Sequence, residues 1–418
     1  MKIKVEHNEK ILYNEAANTT RKDSVCSMKN NTTKLLGLED VIVKNVYEDT
    51  SGCHIEINLP RRKYRCPRCG TMTDRIHDYR TQKVKDLDAH GVRTYLHIRK
   101  RRYICPGCGK RFYEDNGFLP RYHRVTSRLV AKVIFDFGKL HSAKDIGQSN
   151  NVSPQTALRY FKLVKYSGPE LPEVLSIDEF KGNADGEKYQ TIVTDAKNKK
   201  IIDVLPNRKK IDLIKYFSKF SNKNDVKYVV IDMSRNFKDV AETCFPQATI
   251  VIDRYHVTRQ AIWALENVRK AEQKALSKPW RKLCKNSRRL LCKQPGKLED
   301  DEKQRLRRIL GLSTRLEIAY DLKNDFLEFM HSPNSEVAKK RLGDWLFHAE
   351  NSHIPEFKAC IRAMHNWSGY ILNGFDVPYT NGFTEGCNNK TKVLKRVCFG
   401  VRNFETFRNR ILHCASSY

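Results

Sequence analysis

Alternation of apolar and polar positions predicts a small β domain in the first third of the chain. Near-alternating runs occupy residues 40–46, 53–59 and 93–98, and a period of two is typical of strands with one buried face. Residues 1–36 are polar, rich in Asn, Thr and Lys, and without a sustained period, so we expect a flexible N-terminal tail. The first folded domain is predicted over residues 37–124.

A helical period replaces this alternation after residue 124. Apolar residues recur at helical spacing over residues 126–137, and a second helical segment follows. Ser153 as N-cap and Pro154 at the first helical position mark the start of a third helix. A plain helical hairpin would give the same pattern, but we expect a helix-turn-helix DNA-binding domain over residues 125–170.

The third helix carries the side chains expected to contact DNA. Gln155, Thr156 and Arg159 are predicted on its exposed N-terminal part. A recognition helix meets base edges in the major groove with that part. We therefore predict that these three residues bind DNA.

The second half of the chain alternates strands with helices. Gly168–Pro172 break the preceding helix, and three strands in close succession then predict an antiparallel meander. Two further apolar runs end at Asp232 and Asp253, each after a helical segment, which is the pattern of β-α-β crossovers. We expect an α/β multidomain protein whose mixed sheet lies within residues 171–418 and is covered by helices.

A helical insertion interrupts this α/β pattern. Residues 262–375 are highly charged and contain long segments of helical period. Within them, residues 269–293 hold 10 Lys and Arg and a single Glu. Such a stretch is either a phosphate-contacting surface or a solvated face, and the pattern leaves both open.

The charge balance indicates a polyanionic partner. The 418 residues include 78 Lys and Arg against 48 Asp and Glu, a formal net charge of +30, and such charge favours nucleic acid because phosphate neutralisation releases counterions. No apolar run approaches the roughly 20 residues that span a bilayer, and no secretory signal is visible. We expect a cytoplasmic, nucleoid-associated protein that binds double-stranded DNA and no membrane.

Two cysteine pairs predict a structural zinc site. Four of the 13 cysteines form the knuckles Cys66-Pro-Arg-Cys69 and Cys105-Pro-Gly-Cys108, and four thiolates make a closed tetrahedral Zn²⁺ site. The remaining cysteines are scattered and are expected to be free thiols in a reducing compartment. Four histidines are either substitute ligands or ordinary imidazoles: His77, His90, His97 and His123.

The predicted zinc ribbon is strongly basic. Residues 61–111 hold 16 Lys and Arg against 4 Asp, with tyrosines interleaved. A solvated charged face is one interpretation, and DNA contact is the other. We expect DNA contact.

Carboxylates within or after apolar strands are the candidates for an active site. Asp178 lies in the middle of one apolar run, Asp232 ends another, and Glu385 opens a predicted helix near the C-terminus. A buried ionised Asp is costly unless it is hydrogen-bonded, paired or metal-bound. Mg²⁺, or Mn²⁺ in its place, prefers such oxygen ligands. We predict that these three acids share one metal site. On pattern alone other acids compete with them: Glu179, Asp195, Asp203 and Asp253.

A series of motifs in fixed order carries a resemblance to a known family. The motifs are Asp178–Phe180, Val204–Pro206, Ile231–Met233, Ile252–Val257, Glu385-Gly386, Asn388, Lys392, Lys395-Arg396, Gly400, Asn403-Phe404 and Arg410-Ile411. Together with the zinc ribbon and the helix-turn-helix they resemble bacterial DDE transposases of the insertion-sequence family ISL-three over nearly the whole chain. Departures are mild: Asn207 stands where a Gly is usual, and residues 397–399 replace a more basic segment.

The resemblance implies a ribonuclease H-like catalytic domain with the helical insertion before the last acid. It places the DDE triad, catalytic and magnesium-binding, on Asp178, Asp232 and Glu385. Asp253 and His256 resemble an Asp-x-x-His signature with a supporting or DNA-contacting role, although capping of a strand-helix junction would explain them equally. The basic residues that follow the last acid are expected to bind DNA: Lys390, Lys392, Lys395 and Arg396.

We therefore expect a DNA transposase that acts as a homodimer on DNA. It would bind the terminal inverted repeats of its insertion sequence and catalyse Mg-dependent strand cleavage and strand transfer. The alternative is a captured transposase acting as a DNA-binding regulator without strand transfer, against which the presence of all three acids argues. A zinc-dependent nuclease is disfavoured, because a four-thiolate zinc has no open coordination position.

Overall fold

The chain folds into two compact units. The first contains the N-terminal residues together with Val393–Val401 and the residues from Glu405 onward, and the second contains the intervening residues with Arg402–Phe404. The last helix thus groups with the first unit, whereas the predicted catalytic domain extended over residues 171–418. The computed structural model describes residues 3–5, 37–38, 40–120, 122–166 and 170–416.

The expected N-terminal tail contains a strand. Strand β1 (Ile3–Val5) pairs antiparallel with β9 (Val164–Tyr166). The rest of the expected tail, residues 1–2 and 6–36, lies outside the described residues, as do residues 167–169.

A five-stranded sheet forms the β part of the first unit. Its strand order is β2-β3-β7-β6, with β8 on β7, while β4 and β5 make a separate hairpin. One face is apolar and buries Ile55, Ile57, Val84, Leu96 and Ile98. The bounds are β2 (Ile42–Asp49), β3 (Gly52–Asn58), β4 (Tyr64–Arg65), β5 (Met72–Thr73), β6 (Ile76–Lys85), β7 (Thr94–Ile104) and β8 (Arg111–Tyr113).

Three short helices follow, each with a side-chain N-cap. Thr126 and Ser153 accept hydrogen bonds from backbone amides of the first turn, and Ser142 forms a capping box with Asp145. These caps satisfy amides that have no partner within the helix, so the predicted helix starts are confirmed. The helices are α1 (Ser127–Asp136), α2 (Ala143–Ser149) and α3 (Pro154–Phe161).

The second unit is built on a mixed five-stranded sheet, as predicted. The strand order is β12-β11-β10-β13-β14. β10, β11 and β12 are antiparallel, whereas β10 with β13 and β13 with β14 are parallel. The elements are β10 (Val174–Phe180), β11 (Gln190–Asp195), β12 (Lys200–Leu205), α4 (Lys210–Phe217), β13 (Tyr228–Ile231), α5 (Arg235–Cys244) and β14 (Thr249–Ile252).

The two faces of this sheet differ in chemistry. One face contributes Leu175, Ile177, Val229 and Ile231 to the main core, where all four are fully buried. The other face begins with Val174 and its neighbours Val230 and Val251, and it becomes polar toward the ends of the parallel strands. Because successive side chains alternate between faces, each strand supplies both surfaces.

Helices account for the remaining part of this unit, including the predicted insertion. Trp345 is 1% exposed, packs edge-on against Phe326 and donates its indole N–H to the Leu322 carbonyl over 2.8 Å. Within the described parts of the chain, no helix combines the length and the apolar character needed to cross a membrane. The helices are α6 (Arg254–Glu272), α7 (Lys278–Lys285), α8 (Arg288–Cys292), α9 (Asp300–Leu310), α10 (Thr314–Met330), α11 (Ser335–Asn351), α12 (Lys358–Asn373) and α13 (Gly382–Val397). The last helix, α14 (Phe404–Ser416), groups with the first unit.

Gly147 of α2 is a test of the packing between α2 and α3. A Cβ placed there would lie 2.8 Å from the Val152 carbonyl oxygen and 3.1 Å from the Pro154 nitrogen. Gly147→Ala should therefore lower the free energy of unfolding of the first unit by about 1–3 kcal/mol. Gln148→Ala, at the exposed neighbouring position, is the control. Chemical denaturation followed by circular dichroism measures both, and equal stability of the two variants would contradict the packing.

Candidate active site and cysteine cluster

The parallel pairing of β10 with β13 sets two acids side by side. The ladder pairs Ser176 with Val230, and two residues further along each strand stand Asp178 and Asp232. Side chains two residues apart point to the same face of a sheet. Both carboxylates therefore leave the sheet on the face opposite its main core and at the same level along the strands.

The next parallel strand brings a third acid to this level. Ile231 pairs with Ile252, so Asp253 follows β14 beside Asp232. Asp253 is 6% exposed. Its Oδ1 accepts the backbone N–H of Asn381 over 3.1 Å, and its Oδ2 lies 3.0 Å from Nδ1 of His256. Asp253 thus joins the end of β14 to the segment that opens α13.

Burial makes the first two acids difficult to ionise. Asp178 is 9% exposed, and burial, with a smaller contribution from the charge of Asp232, raises the pKa of Asp178 to about 7. Burial also raises the pKa of Asp232, whose Oδ1 is buried with no hydrogen-bond partner among the described residues. A cation beside them would offset both desolvation and mutual repulsion.

The pKa of the neighbouring His256 is also raised, which in a histidine favours the charged form. The hydrogen bond to Asp253 raises the pKa of His256, and the nearby carboxylates of Asp232 and Asp178 act in the same direction. A histidine that is more readily protonated supplies positive charge next to the acids. This arrangement suits a site that receives a phosphate group.

Helix α13 covers the acid-bearing face of the sheet through polar contacts. The Thr384 hydroxyl lies 3.0 Å from that of Ser176 and 2.7 Å from that of Thr194. One turn later, Asn388 donates its Nδ2–H to Oδ2 of Asp178 over 2.9 Å. The contact between Asn388 and Asp178 was not predicted from the sequence. The feature that could have indicated it is the spacing of the polar residues at 381, 384 and 388, which lie on one helix face.

Glu385 lies on the exposed surface of α13. It precedes Asn388 by three residues, so the two are neighbours on the helix surface. Among the described residues, the four cysteines are the only group of three or more His, Cys, Asp or Glu whose ligand atoms all lie within 4.8 Å of one another. Asp178, Asp232 and Glu385 therefore do not form a cluster of that size in this structure.

The competing acids have other partners. Glu179 receives two hydrogen bonds from Nη1 of Arg208, at 2.8 and 2.7 Å. Asp195 accepts backbone amides of its own turn, and Asp203 accepts the hydroxyl of Tyr216. Their surroundings explain them as structural or surface groups, which favours Asp178 and Asp232.

The four predicted zinc ligands converge in the first unit. The Sγ atoms of Cys66 and Cys108 lie 3.6 Å apart, and those of Cys69 and Cys105 lie 3.4 Å apart. A tetrahedron with Zn–S bonds of about 2.3 Å has edges of about 3.8 Å, so the cluster has nearly the size of a zinc site. Hydrogen bonding with the side chain and backbone of Thr71 lowers the pKa of Cys69 to about 6, which favours the thiolate. No histidine joins this cluster among the described residues.

The two knuckles have the same backbone construction. The amides of Gly70 and Gly109 donate to the carbonyls of Cys66 and Cys105, over 2.9 and 3.0 Å. Both glycines adopt the left-handed region, with φ of 77° and 70°, where residues with a Cβ are strained. Each knuckle therefore needs its glycine to turn both sulfurs toward one point.

The predicted DNA-binding side chains are mostly accessible. Gln155 and Arg159 are exposed on α3, whereas Thr156 is half-buried and its hydroxyl lies 2.9 Å from that of the Ser153 cap. On α13, Lys390, Lys392 and Arg396 are exposed and Lys395 is half-buried. Six cations of α7 and α8 are exposed: Lys278, Arg281, Lys282, Lys285, Arg288 and Arg289.

Comparison with known proteins connects both sites to one family. The model of the ISL-three DDE family, described as transposase, matches residues 175–411, more than half of the chain. A second model, described as zinc-finger of transposase IS204/IS1001/IS1096/IS1165, matches residues 62–108. The first match includes Asp178, Asp232 and Glu385, and the second includes all four clustered cysteines.

Individual relatives agree with this assignment. The transposase for insertion sequence element IS1001 of Bordetella parapertussis is 27% identical over 363 residues, which is 82% of this chain and 86% of that protein. The transposase for IS1557 of Mycobacterium tuberculosis is 24% identical over 241 residues, 52% of this chain and 54% of that protein. A Lactococcus lactis protein named ATP-dependent protease matches only 25% of this chain. The chain belongs to the ISL-three family of DDE transposases and is an enzyme that cleaves and transfers DNA strands.

Proposed function

We propose that this transposase binds the terminal inverted repeats of its own insertion sequence and catalyses magnesium-dependent cleavage and strand transfer. Asp178, Asp232 and Glu385 form the proposed active site. The observation that carries the proposal is the in-register position of two acids, the buried Asp178 and the half-buried Asp232, on neighbouring parallel strands. A DNA-binding regulator has no use for two carboxylates that are costly to ionise.

The donor set of the proposed site fits Mg²⁺ or Mn²⁺. Asp178 and Asp232 offer hard oxygen ligands, and the Oδ1 atom of Asp232 is buried without a partner among the described residues. Glu385 would complete the site from α13. Metal ions held by these carboxylates would supply Lewis-acid stabilisation of the negative charge that develops on oxygen during an in-line displacement.

The chain's own residues orient the ligands and the DNA. Asn388 fixes Oδ2 of Asp178, and Asp253 holds the ring of His256 near the acids. In cleavage, water forms a new P–O bond while the bond to the 3′ oxygen breaks, which leaves a 3′-hydroxyl and a 5′-phosphate. In transfer, that hydroxyl attacks a target phosphodiester and releases a target 3′-hydroxyl. Neither step needs a covalent protein intermediate.

The proposed enzyme has a ribonuclease H-like catalytic domain and separate DNA-contacting helices. The sheet order, with three antiparallel strands followed by two parallel ones, supports a ribonuclease H-like catalytic domain. Helices α2 and α3 would act as a helix-turn-helix, with Gln155, Thr156 and Arg159 on DNA. Phosphate contacts are assigned to Lys390, Lys392, Lys395 and Arg396. Two element ends require two active sites, so we propose a homodimer on double-stranded DNA.

The cysteine cluster is proposed to hold one structural Zn²⁺ per chain. Cys66→Ser should abolish zinc retention and unfold the ribbon, because the closed site contributes folding free energy. Cys292→Ser, which changes a half-buried cysteine outside the cluster, should retain one zinc. Elemental analysis of the purified variants measures the metal content. Full zinc in Cys66→Ser would remove the assignment.

Asp232→Ala tests the active site. Cleavage of DNA that carries the element's ends should fall by on the order of 1,000-fold or more, because metal binding supplies several kcal/mol of transition-state stabilisation. Binding to the same DNA should remain, since Asp232 makes no proposed DNA contact. Asp239→Ala, which removes a surface partner of Lys210, should cleave normally. Cleavage assays with labelled DNA and gel-shift binding measure both effects.

Arg159→Ala tests DNA binding by α3. It should weaken binding to end DNA by about tenfold or more and reduce preference for the end sequence. Lys162→Ala, just beyond the last residue of α3, should bind like the wild type. If the wild-type protein binds end DNA but shows no Mg-dependent cleavage, the captured regulator is favoured instead.

The raised pKa of Asp178 predicts how stability depends on pH and metal. Because the folded pKa of about 7 exceeds the ordinary 3.8, the protonated form contributes stability that is lost as pH rises through about 7. The loss is at most about 4 kcal/mol. Mg²⁺ competes with that proton, so the melting temperature should gain most from Mg²⁺ above this pH. Asp178→Asn should abolish both trends in calorimetry, and an unchanged Mg²⁺ response would contradict the site.

A further inference from the structure

An aromatic and guanidinium stack runs along the exposed side of α6, beginning next to the proposed active site. Arg259 lies with its guanidinium carbon 4.1 Å from the ring centre of Trp263 and 5.9 Å from that of Tyr255. Tyr255 in turn contacts His256, with ring centres 5.6 Å apart. We call Tyr255, Arg259 and Trp263 the α6 stack.

The α6 stack exposes two large aromatic rings to solvent. Tyr255 is 53% exposed and Trp263 is 44% exposed, so much of their apolar area stays in water, which is unfavourable unless a partner covers it. Among the described residues, no carboxylate pairs with Arg259. A pair of side chains that only stabilised the helix would need one aromatic ring, whereas the α6 stack places a ring on each side of Arg259 over two helical turns.

The position of the stack connects it to the reaction. Residues four apart lie on one side of a helix, and positions 255 to 263 span about 12 Å along the axis. The first member adjoins His256, whose Nδ1 lies 3.0 Å from Oδ2 of Asp253, and Asp253 follows β14 beside Asp232. DNA bound at these acids would therefore have the first ring of the stack within reach.

The chemistry of the stack selects an unpaired base. Bases within a duplex are covered on both faces by their neighbours and present phosphates and edges, which cations and amides recognise. Exposed aromatic rings instead bind the open face of an unstacked base, and an intercalated arginine adds cation-π attraction and a phosphate contact. We propose that the α6 stack binds unpaired nucleobases of the DNA strand next to the cleavage position. This inference rests on the proposed function, because it takes the acids to be the cleavage site.

The test separates base stacking from charge. The probes are a single-stranded thymidine oligonucleotide and an abasic strand of the same length, which carries the same phosphates without bases. The full-length wild type should bind the thymidine strand more tightly, and Trp263→Ala should lower that preference by about tenfold. Trp263→Phe should retain most of it, since a ring face remains.

The matched control is Trp280→Ala, which removes a tryptophan of similar exposure, 46%, from α7. It should leave the preference unchanged. The inference is overturned if Trp263→Ala keeps the full preference, if Trp280→Ala loses as much, or if Trp263→Ala instead shifts the monomer-dimer equilibrium in sedimentation. Mg-dependent cleavage by the wild type is measured in parallel. Its absence would count against the proposed function, whereas cleavage with an unchanged preference in Trp263→Ala would count against the α6 stack alone.

Discussion

The parallel pairing of β10 with β13 is the constraint on which the proposed catalytic site depends. It places Asp178 and Asp232 at one level on one face of the sheet, where burial makes their negative charges costly. A shift of the ladder by one residue would send one carboxylate into the apolar core on the other face. The apolar residues that alternate with the acids hold this register, so the packing of the core and the geometry of the site are one property.

Helix α13 completes that face with polar contacts in place of apolar packing. Hydroxyls of Ser176, Thr194 and Thr384 and the amide of Asn388 dock the helix on the sheet. Directional contacts of this kind fix the rotation of a helix more narrowly than apolar packing does. The exposed position of Glu385 on the helix surface follows from that rotation.

Different surfaces of the chain suit different parts of a DNA molecule. The proposed zinc at the cysteine cluster would stabilise the basic ribbon, whose apolar core lies on the neighbouring sheet. Exposed cations on α3, α7, α8 and α13 suit phosphates, and the α6 stack suits bases. A net charge of +30 favours association with any nucleic acid, and the proposed contacts at individual sites would add selectivity.

The sequence by itself determined the local features. The N-caps, the cysteine knuckles, the three antiparallel strands and the crossover strands that end on Asp232 and Asp253 were predictable because they depend on neighbouring residues. Tertiary structure alone decided which acids meet. The exposure of Glu385, the hydrogen bond from Asn388 to Asp178 over 210 positions and the grouping of α14 with the first unit arise from long-range packing. A local pattern shows which face of an element is buried, but it does not identify the element that covers that face.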